Sequence, residues 1–416
     1  NRQVFLNCDF IENYAIANGG GVYIEQVLYL TPLQQTIFLG CNFIQNKATN
    51  PNIGASGVGG VFYYNTSQIL SIETEFAFKI KDSKFIGNNS TNGSGGIHLD
   101  FTYLNNWRIE NVKFIDNQSF DGAAALSINQ YFNVNQMDDE RESYIENCVF
   151  RNNKSLDDES GSIEFNYYGS PGNDNHKFYI NNTVFEENFR LMRILNYSFS
   201  SDTLFAYINS CTFYKNEGGL ISKGFKTPTN ITNSIFWQDQ PLEELFNYYN
   251  PDSILHGYNI HHSLLKSPDC LFNGIDYCGD GMLYNLYPEF RDTMNNDFSL
   301  RSCSPAINQG DNISIDTLGI FFDIEGNPRI LDDAVDLGAY ETQAFEVLVP
   351  QSQNVNCNGG ADGAITWVQH GTPPFIFEWD NSVSTGTAFT GLSAGTYSIA
   401  VMDADSCTDT FSITVN

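Results

Sequence analysis

Positive charge and long apolar runs are what this 416-residue chain has least of. It carries 20 Lys and Arg against 49 Asp and Glu, a formal net charge of −29. That balance argues against nucleic acid and anionic membrane as partners, since both reward clustered basic residues. No segment approaches the roughly 20 consecutive apolar residues of a transmembrane helix, so direct membrane insertion by a helix is not expected. The nine cysteines include no CxxC pair, which excludes the common zinc and iron–sulfur spacings. A leucine lattice is also missing, and with it the leucine-rich horseshoe. With 41% apolar and 17% charged residues the chain reads as an ordered protein. Its acidity reads as a solubilising surface on a large secreted protein, with acidic sites for a divalent cation such as calcium as the alternative.

What the sequence does have is a repeat. The pattern apolar-x-Asn/Asp/Ser-x-x-Phe-x-x-Asn returns at Phe10, Phe43, Phe85, Phe114, Phe150, Phe185, Phe213 and Phe236, with a degenerate copy ending at Leu265. The spacings of 33, 42, 29, 36, 35, 28, 23 and 29 residues vary, as in stacked coils with loop insertions on some turns. The first seven phenylalanines are each followed by an asparagine: Asn13, Asn46, Asn88, Asn117, Asn153, Asn188 and Asn216. Glycine clusters and short strands rich in Ile, Val, Phe and Tyr come next, as in Gly59-Gly60-Val-Phe-Tyr and Gly95-Gly96-Ile-His-Leu. A chain whose parallel strands are joined only by further strands and turns winds as a helix of strands. The expected fold is therefore a right-handed parallel β-helix of about ten coils. Phenylalanines should stack inside it, and the asparagines should form a ladder at a corner whose backbone is left-handed. Cys8, Cys41, Cys148 and Cys211 stand two residues before a motif phenylalanine and read as buried thiols, a Cys8–Cys41 bond staying open. Cys270 with Cys278, and Cys357 with Cys407, are candidate disulfides in an oxidising compartment, and Cys303 is unassigned. Variable loops are expected at Gln26 to Gln35, Asn65 to Phe76, Tyr131 to Glu142 and Tyr167 to Asn175. Because the sequence begins inside a repeat, a longer parent chain is expected.

From Tyr287 the texture changes. Tyr287-Pro-Glu-Phe-Arg-Asp-Thr-Met-Asn-Asn-Asp-Phe-Ser-Leu, Ser304-Pro-Ala-Ile-Asn-Gln-Gly-Asp311, Asp323-Ile-Glu-Gly-Asn-Pro-Arg329 and Asp336-Leu-Gly-Ala-Tyr-Glu341 follow in order. This stretch, about 287–341, resembles the closing segment of the choice-of-anchor β-helix proteins of bacterial surfaces, which implies a cap within a 1–345 domain. After a linker near 343–352, residues 353–416 read as six or seven short strands, an immunoglobulin-like sandwich. Cys357-Asn-Gly-Gly-Ala-Asp-Gly-Ala-Ile, Gly371-Thr-Pro-Pro-Phe, Leu392-Ser-Ala-Gly-Thr-Tyr397 and Asp403-Ala-Asp-Ser-Cys407 resemble the SprB repeat of gliding-motility adhesins. That resemblance implies a Cys357–Cys407 bond, a Bacteroidetes-like source and type IX export. In that setting Asp-Ser/Thr-aliphatic triplets make Thr203, Ser253, Thr293 and Thr317 candidate O-glycan acceptors.

Catalytic patterns are weak. The acid pairs Asp138-Asp139, Asp157-Asp158 and Asp332-Asp333 fall in apparent loops or the closing segment, not aligned with a base on the next coil. His98 and Asp100 share a strand face, and His256, His261 and His262 cluster without acidic companions. Trp107 and Trp237 fit either core or sugar-stacking roles, and Trp367 and Trp379 the sandwich core. No catalytic residue, metal or cofactor is expected, calcium being the alternative. The expected function is a non-enzymatic extracellular adhesin, a stalk displaying loops to glycans or surfaces. A β-helix polysaccharide lyase or glycosidase, and a structural subunit of a larger surface assembly, are the alternatives.

Overall fold

The computed structural model describes residues 2–16, 19–26, 35–49, 62–66, 78–101, 106–131, 141–157, 160–168, 175–197, 203–218, 221–223, 227–248, 258–272, 275–379, 382–386 and 388–416. Four parallel sheets build the repeat region. Sheet A has nine strands, from Arg2–Leu6 to Tyr258–His261, and sheet B has ten, from Asp9–Ile11 to Leu283–Tyr284. Sheet C has five short strands, from Tyr14–Ala15 to Lys154–Ser155, and sheet D has eight, from Val22–Gln26 to Phe246–Tyr248. Coils 1 to 5 visit A, B, C and D in turn and coils 6 to 8 visit A, B and D, so the fold is a parallel β-helix, as the repeat predicts. Coils are numbered 1 to 10 here by their sheet B strand.

The sheet B register sets every motif phenylalanine on the next, from Phe10 on Phe43 to Phe213 on Phe236. Their rings form one internal column, with centroids 4.4–5.3 Å apart and planes within 14° of parallel. The asparagine ladder runs beside it. Asn88 shows the pattern: its Nδ2 donates to Asn117 Oδ1 (2.9 Å) and back to the Phe43 carbonyl (2.9 Å). Its own backbone N–H also donates to Asn117 Oδ1 (3.1 Å). The left-handed residue of this corner is not the ladder asparagine but the one before it, among them Glu12, Gln45, Gly87, Asp116, Asn152, Glu187 and Lys215. The ladder position therefore requires the amide's two-way hydrogen bonding and not tolerance of positive φ. The ladder also extends one rung further than the motif, since Asn216 N donates to Gln238 Oε1 at 2.7 Å.

A second ladder lies at the A–B corner, two residues before each phenylalanine: Cys8, Cys41, Ser83, Val112, Cys148, Thr183, Cys211, Ser234, Ser263. Where a hydroxyl stands there it accepts the N–H of the coil before, as Ser83 does from Cys41 (3.0 Å) and Ser234 from Cys211 (3.1 Å). The cysteines are thus alternates to serine. All four are free thiols; Cys41, Cys148 and Cys211 are buried, and burial pushes the Cys148 and Cys211 thiols up to about 12. Close stacking also explains the glycine cluster: a Cβ on Gly96 would sit 2.2 Å from the Ala125 carbonyl oxygen of the next coil.

The tenth coil is closed by residues 264–285, with the expected Cys270–Cys278 disulfide and with Tyr277 and Met282 against the core. The closing segment does not sit on that end. It folds back along the flank of the helix, over the outer face of sheet B in the later coils. Phe290, Phe298, Leu300, Ile307, Leu337 and Ala339 pack there on Val184, Tyr214, Ile235 and Leu264. Asn182 Nδ2 donates to the Phe322 carbonyl (2.7 Å), and Gly338 N to the Asn233 carbonyl (2.8 Å). Buried Arg329 ties the segment together by donating to the carbonyls of Asp336 and Gly338.

Residues 346–353, expected as part of a linker, form the first strand of the sandwich and pair with 363–370. Sheets of three and four antiparallel strands enclose Ile365, Trp367, Phe377, Phe389 and Ile399. The expected Cys357–Cys407 bond is absent: Cys407 is bonded to Cys303 of the closing segment, and Cys357 is an exposed free thiol. The reason is distance along the last strand. Val355 pairs with Asn416 at one end of that strand, while Cys407 precedes its other end. Eight residues at about 3.3 Å each separate the two by roughly 25 Å.

Two outcomes follow. Asn117→Ala removes the acceptor of two buried donors on Asn88 and should destabilise the stack by about 3 kcal/mol, at roughly 1–3 per orphaned group. Urea unfolding followed by circular dichroism measures this, with Asn42→Ala, half-buried and bonded to the exposed Asp9 carboxylate, as a milder control. Peptide mapping without reductant should recover Cys303 joined to Cys407, with Cys357 alkylated.

Candidate functional site

In coils 1 to 5, the C–D turn of coil 2 excepted, three of the four turns have almost constant length, whereas coils 6, 7 and 8 run from B to D directly through 5, 6 and 8 residues. Two residues join every A strand to its B strand, and six or seven join C to D in coils 1, 3, 4 and 5. Coil 2 alone lengthens that turn, with 13 residues between Ala48 and Phe62. The connection from D to the next A strand varies throughout, from 5 to 11 residues. All four loops expected from sequence leave the column at this D–A edge. Their interiors, with Asp138 and Asp139, lie outside the described residues, as do Asp158, Ser253 and His256.

Side chains flanking this edge form lanes parallel to the axis, because the in-register strands repeat one position on every coil. On sheet D the first lane stacks Tyr23, Tyr63 and His98, with centroids 5.0 and 5.6 Å apart. Ser127, Glu164 and Arg193 continue it in register. The second lane centres on Asp100. It accepts from Tyr63 Oη (3.0 Å), Asn129 Nδ2 (2.8 Å) and His98 Nε2 (3.2 Å), and Asn166 Nδ2 donates on to Asn129 Oδ1 (3.0 Å). Burial alone would raise the Asp100 carboxyl, but hydrogen bonds and charge from His98, with hydrogen bonds from Asn129 and Tyr63, hold it below the usual carboxylate range. With Nε2 turned to Asp100, the buried Nδ1 of His98 makes no hydrogen bond among the described residues. Tyr131, Tyr168 and Tyr197 stack at 4.6 and 4.9 Å where the D strands end.

Across the edge, sheet A carries a second tyrosine column, Tyr144, Tyr179 and Tyr207, at 4.9 and 5.0 Å. Arg108 lies 5.1 Å over the Tyr144 ring and pairs with Glu146. Lys79 and Lys81 both pair with Glu110. The edge is thus bordered on both sides by tyrosines, carboxylates and amides; Tyr63, His98, Asp100 and Tyr179 are buried, and Tyr23, Tyr131 and Tyr197 are exposed, aromatic groups of the kind that pack against hydroxyl-rich ligands.

Of the residues singled out from sequence, the structure brings His98 and Asp100 together, within a network whose other members sequence reasoning missed. Their signal was present at the fourth position after each D-strand start: Val22-Tyr-Ile-Glu, Phe62-Tyr-Tyr-Asn, Ile97-His-Leu-Asp, Leu126-Ser-Ile-Asn and Ile163-Glu-Phe-Asn. The remaining candidates are dispersed. Asp157 accepts from Ser160, and Asp332 from Gln343 and the Ala344 N–H. His262 turns the last A–B corner, and His261 bonds Asn259 at 2.6 Å. Trp107 is core, whereas Trp237 lies half-buried against Tyr287 with Lys266 over its ring. Thr317 is exposed on the helix Asn312–Leu318, Thr293 half-buried in a 3-10 turn, and Thr203 opens a sheet A strand. Among the described residues no group of three His, Cys, Asp or Glu side chains is arranged to hold a metal ion.

Fold and faces together define a parallel β-helix with a β-sandwich bonded to its flank segment. No family model, curated protein or solved structure matches the chain.

The Asp100 network sets a pH signature. A carboxyl held low in the folded state stabilises above its unfolded value of about 3.9, and that stabilisation is lost as pH falls through the lower folded value. Asp100→Asn should cost about 1–3 kcal/mol at pH 7. In thermal melts the gap to the parent protein should close as pH is lowered toward about 3.

Proposed function

We propose that the protein is a non-enzymatic extracellular adhesin fragment, a rigid scaffold that displays variable segments to glycans or other surfaces. The observation that carries this reading is that in coils 1 to 5, save the single coil 2 insertion, length variation is confined to the D–A edge while the interior stays in strict register. Variation tolerated along one line beside tyrosine-rich lanes suits recognition by an extended row of contacts. The joint at the other end suits a load-bearing role. Arg291 grips Asp405 through two nitrogens (3.1 and 3.0 Å), Ser302 bonds Asp403, and Cys303–Cys407 lies beside them. Resemblance of the closing segment and sandwich to choice-of-anchor and SprB-type surface modules supports the same reading, with type IX export, a Bacteroidetes-like source and O-glycosylation as its corollaries. The second reading, a polysaccharide lyase or glycosidase, rests on the buried His98–Asp100 pair and its unbonded Nδ1.

Glycan-array binding should be saturable, and shortening the D–A connections of coils 4 and 5 should abolish it while the fold is retained. Incubation with acidic and neutral polysaccharides, with and without calcium, should release no unsaturated or reducing ends. Release that disappears in His98→Ala would establish the enzyme reading instead.

A further inference from the structure

In the ladder at the A–B corner, Cys8 and Cys41 are the two thiols that fall on adjacent coils. Cys148 has Val112 and Thr183 as its neighbours there, and Cys211 has Thr183 and Ser234. The register that sets Asp9 on Asn42 puts Cys8 opposite Cys41, and the Asn42 N–H donates to the Cys8 carbonyl at 2.9 Å. Adjacent parallel strands lie about 4.8 Å apart, inside the Cα separation of roughly 4.4–6.8 Å that a disulfide spans.

The side chains are turned to suit. Cys41 Sγ donates to the Leu39 carbonyl of its own coil (3.5 Å) and also reaches the Phe5 carbonyl of coil 1 (3.6 Å). Cys8 Sγ donates to the Leu6 carbonyl (3.5 Å), the equivalent of Leu39 one coil earlier. Both thiols thus stand on one side of the corner, so near that the Cys8 thiol adds to burial in raising the Cys41 thiol. Their access differs. Cys8 is half-buried, whereas Cys41 is fully buried.

We propose that Cys8 and Cys41 are an oxidisable pair that closes into an inter-coil disulfide by exchange with a disulfide-bearing oxidant such as glutathione disulfide. Cys8, the accessible member, loses its proton and attacks one sulfur of the oxidant. A bond forms between them, and the oxidant's other sulfur leaves as a thiolate. Cys41 then loses its proton and attacks Cys8 Sγ, displacing the second thiolate. Two protein thiols become one disulfide while the oxidant's disulfide becomes two thiols, so electrons and protons balance. Burial keeps the oxidant from Cys41, Cys148 and Cys211, so exchange starts at Cys8.

The bond reinforces a weak rung. Further along this ladder Ser83 and Ser234 hydroxyls accept the N–H of the coil before, but at coil 2 a thiol stands in that place. Arg2–Leu6 and Asp9–Ile11 are edge strands, bonded to a neighbour on one side only. Coil 1 is therefore free to shift toward coil 2 as the bond closes, and it is the coil that a covalent tie holds most.

The full chain is incubated with glutathione disulfide at about pH 8, where a free thiol is partly ionised, then alkylated and digested without reductant. The Cys8 and Cys41 peptides should be recovered joined, with Cys148 and Cys211 unmodified by glutathione. Exposed Cys357 should take up glutathione and so report that the oxidant is active. In Cys41→Ser the same treatment should leave glutathione on Cys8, because the thiol that displaces it is gone. Oxidation of the parent should slow amide hydrogen exchange in Arg2–Leu6 and Asp9–Ile11 at least about tenfold, by suppressing local opening of coil 1. A Cys8→Ser, Cys41→Ser double variant, which keeps side chains that this ladder uses elsewhere, should show no such change. Cys8 and Cys41 both left as thiols while Cys357 is modified, a stable glutathione on Cys8 of the parent, or Cys8 joined instead to Cys357 of another molecule would each overturn the proposal.

Discussion

No coil of this protein can satisfy its own backbone. At the corner after the sheet B strands of coils 2 to 7 a buried N–H finds its acceptor in the side chain one coil further on. The same amide reaches back to a carbonyl of the coil before. An unmet buried donor costs about 1–3 kcal/mol, comparable to burying a whole aliphatic side chain. Each coil is therefore an incomplete unit that the next completes, and the stack is held in register by hydrogen bonds with fixed partners as much as by apolar burial.

The fold was legible because of that dependence. A position that must bond above and below accepts few residues, so asparagine recurs seven times at the same offset from phenylalanine. Where the physical demand is looser, the pattern blurs. The second ladder asks only for a small side chain, and cysteine, serine, threonine and valine all qualify, so in the sequence only its thiols stand out. Gln238 is a ladder rung by reach and not by identity. Misread partners belong to another class. Cys357 and Cys407 are both turn cysteines of one small module, yet pairing depends on which end of the last strand each occupies and on Cys303, 104 residues from Cys407. Local sequence carries no information on a contact that arises from folding the closing segment along the flank.

The candidate site was legible in position but not in content. Insertions must leave a solenoid where backbone pairing is not interrupted, and their spacing in the sequence already marked one edge. The lanes beside that edge were hidden because they repeat by register. Tyr131, Tyr168 and Tyr197 are neighbours in space only because intervening insertions of different length return the chain to the same phase. Their neighbour His98 was visible as half of a dyad, but the two amides and the tyrosine that complete its environment come from other coils.

The sandwich landmarks acquire a meaning that their sequence alone did not hold. Asp403, Asp405 and Cys407 are spent on the joint, together with Thr372, whose N–H and hydroxyl bond Asp403 and Asp405. On the other side Arg291, Ser302 and Cys303 come from the stretch that also packs on sheet B. A pull on the sandwich is thus passed to the flank of the helix, over several coils at once, and not to the last coil of the stack. Loading a solenoid along its side works against many interstrand hydrogen bonds in parallel, whereas loading its terminal coil would peel them one at a time. The placement of the closing segment on the flank is therefore what makes a column of individually incomplete coils fit to carry a module at one end.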